Sequence, residues 1–400
     1  METKNLKLQL EKLWKETFGD TDSYIRLIFD NYFRPERVAY IEDGGVVVSA
    51  LLSVPYEFKP IGDNRQSLKG LYLCGLSTSP SRRHQGLMNS LLEQINRQAM
   101  KEDFDFTFLI PASDGLARYY EDRGYMPAFY YREENYVPDH NFNVYLTKSH
   151  IYKEEDKKRY FEKLNADVVN LEISELTDSI HSSSERVKEI LNFLLNFKPI
   201  PGNETGEEVS YIIGHSTQDW IIVLKELLIS KGLLYICKEE GVIRGVAFAS
   251  EEKEIVRVKK IISDNALVDI KLRDFIKKSF PKKNLRVISY VNERSNDFEN
   301  DPQLWQPFYI HNNAPDAEYE DVSNLETAVL PQNRTKPFGM CRILDASEIL
   351  KKLANRSDAS KFSILANEGK VLLRRPGSPD YIGKELGIPL LDLSAFLLLE

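Results

Sequence analysis

The chain has 400 residues, with 53 Lys plus Arg against 61 Asp plus Glu and a formal net charge of -8. That balance argues against a nucleic-acid binder, which needs a basic face, and 42% hydrophobic with 28% charged residues excludes a disordered scaffold. At very roughly 150 residues per domain, the length predicts two or three cores.

The start lacks an apolar leader, and no stretch approaches the ~18 apolar residues that cross a bilayer, so a soluble cytoplasmic protein with no membrane partner is expected. Two short amphipathic helices come first, carrying Leu6, Leu10, Leu13 and Trp14, then Tyr24, Ile25, Ile28 and Phe29, split at Gly19-Asp20. Arg37 to Ile41 and Val46 to Val54 form a predicted hairpin about Asp43-Gly44-Gly45, and Leu71 to Ser77 a further strand. A helix over Met88 to Met100, a buried strand over Phe104 to Ile110, a helix over Leu116 to Asp122 and a strand over Tyr125 to Tyr136 complete an ααβββαβαβ order. This is a mixed α/β domain with one strand-loop-helix crossing at its centre.

Residues from about 146 to 325 repeat parts of that order. Glu185 to Phe197 and Gln218 to Ser230 are predicted helices, Leu233 to Lys238 and Val242 to Ala249 a hairpin about Glu240-Gly241, Glu254 to Ile262 a strand, Leu267 to Phe280 a helix and Leu285 to Tyr290 a strand. Glu299 to Asn333, rich in Asp, Glu, Asn and Pro, is expected to include exposed connection. Met340 to Leu344, a helix over Ala346 to Leu353, a hairpin about Asn367-Glu368-Gly369 and the apolar end Leu390 to Leu399 make a small third unit. The lysine-rich stretches Lys153 to Arg159 and Lys277 to Lys283 are expected as solvated faces.

The most informative segment runs Leu71-Tyr-Leu-Cys-Gly-Leu-Ser-Thr-Ser-Pro-Ser-Arg82-Arg83-His84-Gln85-Gly86-Leu87-Met88-Asn89. A strand enters a basic, glycine-containing turn that opens a helix, so unpaired backbone N–H groups, the positive helix terminus and two arginines converge where a pyrophosphate could sit. Neither the Walker spacing nor the dinucleotide G-x-G-x-x-G spacing is present, and a plain strand-helix turn with solvated arginines is the other reading. Further on, Ile110-Pro-Ala-Ser113-Asp114 leads into a short aromatic helix that ends Tyr119-Tyr120-Glu-Asp-Arg-Gly124-Tyr125. Either tyrosine can be a packing aromatic or an acid. The six histidines lack paired metal spacing, Ser113 lacks a nucleophile elbow, and Cys74, Cys237 and Cys341 show no C-x-x-C, so neither a metal nor a disulfide framework is expected.

Together the two segments resemble the GNAT superfamily of acetyl-CoA-dependent N-acetyltransferases: Arg83-His-Gln-Gly86-Leu matches its R-x-x-G-x motif and Tyr120-Glu-Asp-Arg-Gly124-Tyr125 its Y-x-x-x-G-Y/F end. Met88 stands where Gly or Ala is usual. A large residue there is similar to the enhanced intracellular survival (Eis) family, with two GNAT domains and a small sterol-carrier-like domain. The resemblance implies a catalytic domain at 1–145, a degenerate second copy at 146–325 and a sterol-carrier-like unit at 326–400. It implies that the backbone of Leu76, Ser77 and Thr78 pairs with the pantetheine arm of acetyl-CoA. Arg82 and Arg83 with His84 to Asn89 (His84, Gln85, Gly86, Leu87, Met88, Asn89) hold the pyrophosphate, and Ser113 and Asp114 face the thioester. Tyr120 is the implied general acid, and the terminal carboxylate of Glu400 the implied base. The expected acceptor is a primary amine of a small cationic molecule or a lysine side chain, with Glu133, Glu134, Asp139, Glu207 and Glu208 as loose candidates for an acidic cleft. A homo-oligomer is left open, and a non-catalytic acyl-CoA- or lipid-binding protein on the same scaffold is the rival reading.

Overall fold

The computed structural model describes residues 2–61, 66–142, 154–177, 183–197, 210–291 and 336–345, with short pieces at 348–349, 352, 363–367, 370–374 and 390–392. The chain divides into two units, one made of residues 1–130, 201–214 and 337–393, the other of 131–200, 215–336 and 394–400. The sequence boundary at 325/326 falls outside the described residues, as do most of the segments assigned to a sterol-carrier-like unit.

In the first unit, helix α1 (Thr3–Phe18) stops at Gly19, whose φ of +76° is the left-handed cap that ends a helix, and α2 (Asp22–Tyr32) starts on Thr21, whose hydroxyl accepts from Tyr24 N. Strands β1 (Val38–Asp43) and β2 (Val46–Ile61) form an antiparallel hairpin through Gly44 and Gly45, at φ of +59° and +84°, a turn whose twist matches the strands it joins. Strand β3 (Leu68–Thr78) lies antiparallel to β2. Helix α3 (Leu87–Lys101) then crosses to β4 (Phe106–Leu109), which is parallel to β3. Helix α4 (Asp114–Glu121) leads to β5 (Met126–Tyr136). Leu91, Leu92, Ile95 and Ala99 of α3 are buried against Leu71, Leu73 and Leu109 of the sheet. The strand Lys336–Ile343 pairs antiparallel with β4 and takes the place between β4 and β5.

One irregularity shapes this sheet. Ala50 opposes Ser77 and Leu52 opposes Cys74, so Gly75 and Leu76 together face Leu51 as a β-bulge. Gly75 has φ +60°, and a Cβ there would lie 2.2 Å from the indole ring of Trp14, itself anchored by its Nε1–H to Asp20 Oδ2 at 2.7 Å. The ladder from β3 to β4 ends at Tyr72–Phe108.

The second unit repeats the order of the first. After the helices Glu185–Asn196 and Thr217–Ile229 come the strands Leu233–Glu239, Val242–Glu251 and Ile255–Ser263, each antiparallel to the last, then the helix Ala266–Ser279 and the strand Asn284–Val291, parallel to Ile255–Ser263. Its hairpin turns at Glu240 and Gly241 with φ of +49° and +86°, and its third strand also bulges, at Lys259. Helix Glu154–Lys163 and strand Leu164–Val169, not anticipated from the pattern, add an edge. The lysine-rich stretches are not wholly solvated: Lys157 is 3% exposed and Lys277 5%, because each lies on a helix with one face against the core.

Gly75→Ala combines a left-handed backbone with a collision against Trp14, and should cost about 2 to 4 kcal/mol in urea denaturation. An unchanged midpoint would show that the indole does not hold the bulge. In the second unit Glu226 is buried, its Oε2 without a partner among the described residues and Lys259 Nζ 4.0 Å from its Oε1; burial pushes its carboxyl up to about 7. The folded state therefore holds this proton more tightly than the unfolded chain, whose ordinary value is 4.5. This contribution to stability is complete below that value and is lost as pH rises through about 7. Glu226→Gln stays neutral, so its stability relative to wild type should improve between pH 5 and pH 8; a pH-independent difference rules this out.

Candidate active site

The site follows from the bulge. Beyond Tyr72, β3 keeps β2 on one side, while the other side of Leu73–Thr78 faces no strand among the described residues. Leu76, Ser77 and Thr78 thus lie on an open sheet edge, able to accept an extended, amide-bearing chain as an added strand. Their conformation is held from behind: Ser49 Oγ donates to Ser77 O at 3.2 Å and bonds Thr78 Oγ1 at 2.9 Å, and Ser79 N–H donates to Val48 O at 2.9 Å.

The edge runs into the turn before α3. His84 has φ +63° and Gly86 φ +76°, two left-handed residues separated by one, a backbone that turns N–H groups toward a shared concavity. A Cβ on Gly86 would meet nothing within 4 Å, so glycine answers the backbone conformation there and leaves the approach open. No side chain caps α3 and no acid occupies its first turn, so the N–H groups of Leu87, Met88 and Asn89 carry the positive end of the helix. Arg82 is paired to Asp43 and donates from Nε to Gln85 Oε1 at 3.1 Å; Arg83 is exposed and donates from Nε to Thr78 O at 3.3 Å. These contacts hold both arginines over the turn.

The corresponding turn of the second unit is closed. Asn265 caps the helix Ala266–Ser279, its Oδ1 accepting from Leu267 N at 3.0 Å and Val268 N at 3.1 Å, and Asp269 stands in the first turn. Strand pairing there ends at Val258–Val287, and the wedge beyond is lined by Lys260, Asp269, Arg273 and Ser289 around a cavity of about 120 Å³. Arg273 is ion-paired to Asp269 and to Glu134, and its NH1 donates to Tyr136 Oη at 2.9 Å. Glu134 is therefore consumed in a buried ion pair rather than free to line an acidic cleft, and Glu133 sits 3.9 Å from Arg257 and 3.8 Å from Arg286. Asp139 is exposed, and Glu207 and Glu208 lie outside the described residues.

Ser113 and Asp114 are exposed at the start of α4, where Ser113 Oγ accepts from Leu116 N at 3.3 Å. Tyr120 ends that helix. It is 6% exposed and packs with Leu71, Leu91 and Leu109, its ring 5.3 Å from that of Tyr119 and 5.9 Å from that of Tyr125. Glu400 lies outside the described residues.

Two residues that the sequence did not single out, Asn96 and Thr107, join Tyr125 in holding these pieces together. Thr107 Oγ1 of β4 donates to Asn96 Oδ1 of α3 at 2.7 Å and lies 3.1 Å from Tyr125 Oη, all three buried; burial pushes the Tyr125 phenol up to about 12. Glycine inside a strand pattern was a legible sign of the bulge at Gly75; nothing in the linear sequence linked it to Trp14. No cluster able to hold a metal ion and no helix long and apolar enough to cross a membrane occurs among the described residues.

The family model described as an acetyltransferase (GNAT) domain matches residues 4–128. No curated protein matches the chain. Among solved structures, a probable N-acyltransferase of unknown function from Enterococcus faecalis V583 is 12% identical, covers 88% of this chain and 73% of its own, and superposes with a TM-score of 0.54. A GCN5-related N-acetyltransferase from Anabaena variabilis is 14% identical over 94% of this chain and 84% of its own, at 0.52. Eis1 from Mycobacterium abscessus is 8% identical over 94% and 83%, at 0.54. Residues 4–128 thus match the acetyltransferase (GNAT) domain model, and the chain shares its fold with Eis1.

Proposed function

We propose that the protein is an acetyl-CoA-dependent N-acetyltransferase that moves the acetyl group to a primary amine of a small cationic molecule or of a lysine side chain, directly, in a ternary complex. The observation that carries this reading is the continuity of the open β3 edge with the uncapped α3 terminus. An extended amide chain ending in a pyrophosphate matches both parts: the pantetheine amides pair with Leu76–Thr78, and the phosphates meet Arg82, Arg83 and the N–H groups from His84 to Asn89.

In the reaction, the neutral amine nitrogen attacks the thioester carbonyl carbon and forms the C–N bond. Collapse of the tetrahedral adduct breaks the C–S bond, the proton shed by nitrogen passes to water or a base, and the leaving thiolate takes a proton. A phenol, with an ordinary pKa of about 10, can supply that proton in a dry site. Tyr120 is assigned this role by its place at the end of α4 and its burial. Ser113 and Asp114, at the other end of α4, are assigned to the thioester side. The net charge of -8 supports a cationic acceptor.

Free thiol release from acetyl-CoA, measured against a panel of polyamines and aminoglycosides, tests the activity; binding without any release supports the non-catalytic rival. Calorimetry should give one acetyl-CoA per chain, since the second helix terminus is capped by Asn265 and carries Asp269 in its first turn. Arg83→Glu should weaken that site roughly 10- to 100-fold. Two equivalent sites per chain would overturn the assignment. Tyr120→Phe keeps the ring and removes the proton, so kcat should fall roughly 100-fold with acetyl-CoA affinity unchanged. Wild-type turnover in that variant returns Tyr120 to a packing role.

A further inference from the structure

The strand Lys336–Ile343 belongs, by its pairing, to the sheet of the GNAT domain, although it lies far downstream of it in sequence. Its register sets where its side chains go. Arg342 opposes Thr107 and Met340 opposes Leu109, and residues directly opposed in an antiparallel pair project from the same face. Thr107 reaches Asn96 of α3, so Arg342 projects toward α3 as well. There its NH1 donates to Glu93 Oε1 at 2.8 Å, one helical turn from Asn96. Met340 joins the apolar cluster that contains Tyr120 and Tyr125.

The stem of Arg342 also crosses the turn that closes α4. Gly124 has φ +80°, and the position of a Cβ on it lies 3.6 Å from Arg342 Nε and 3.8 Å from Cδ. That turn is bonded to Tyr120 through its backbone: Arg123 N–H donates to Tyr120 O at 2.9 Å and Tyr125 N–H at 3.1 Å. One side chain therefore spans from α3, whose first turn forms the phosphate cradle, to the turn that carries the carbonyl of Tyr120.

We infer that Arg342 is a positioning residue for Tyr120, fixing the end of α4 against α3. The inference rests on the reading of Tyr120 as general acid. It is tested in the full chain by steady-state kinetics with acetyl-CoA and the best acceptor of the polyamine and aminoglycoside panel. Arg342→Ala should lower kcat about tenfold with the KM for acetyl-CoA unchanged, because small displacements of a reacting group are costly while the cradle lies in a different turn of α3. Arg342→Lys, which keeps a cation for Glu93 and much of the stem, should recover most of that loss. In a Tyr120→Phe background, Arg342→Ala should have no further effect on kcat.

An equal loss in both backgrounds means that Arg342 merely supports the fold and overturns the inference. Unchanged kcat in Arg342→Ala, with Tyr120→Phe still impaired, overturns the inference alone. Full turnover in Tyr120→Phe, or no turnover with any amine, sinks the reading of the site and the inference with it. If Arg342→Ala does not fold, Glu93→Gln removes the anchor of the guanidinium and should show the same dependence on Tyr120.

Discussion

The contact of Trp14 with Gly75 is the constraint on which the site depends. A strand continuing straight past Tyr72 would be free to pair with β4 along its length, and its backbone groups would be spent on that ladder. The bulge gives one strand an extra residue, bends it, and frees an edge. Only glycine lets the indole approach so closely, and the indole in turn fills the space that the bend opens. The open edge, its run into the α3 turn and the exposure of the α3 terminus follow from that one departure from regular pairing.

The two units show how little separates an open helix terminus from a capped one. Both units have a hairpin turning on two residues of positive φ, a bulged third strand, a helix and a parallel strand. In the first, Gly86 leaves the initial N–H groups of α3 without a side-chain acceptor. In the second, Asn265 accepts from two of them and Asp269 adds a negative charge to the same turn. The wedge beyond the strand pairing is then occupied by Arg273 in a buried ion-pair cluster with its two carboxylate partners. The second unit has the same order of elements with its polar groups turned inward.

Around the first site, polar groups are used for rigidity. Asn96, Thr107 and Tyr125 form a buried chain linking α3, β4 and the start of β5, and Lys352 pairs with Asp105 at 2.7 Å, adding a tie from the C-terminal segment to the base of β4. Buried hydrogen bonds of this kind are costly to leave half-made, so they favour a single arrangement of helix and strand. The first unit is in this sense completed by residues that lie far downstream in sequence.

What the sequence determined by itself was local. Apolar periodicity placed the helices and strands that the two units have in common, though not the added edge Glu154–Lys163 and Leu164–Val169 or the strand Ser210–Ile213, because spacing of 3.6 or 2 decides which face is buried regardless of partners. The turn from Arg82 to Asn89 was legible because its chemistry, cations and a glycine ahead of a helix, lies within one short segment. The tertiary structure alone decided what depends on pairing across distance. It set the close approach of Trp14 to Gly75, the insertion of Lys336–Ile343 beside β4, the reach of Arg342 to Glu93 and Gly124, and the capture of Glu134 by Arg273. Each of these is a contact between residues whose separation along the chain carries no periodic signal, so only the folded register brings them together.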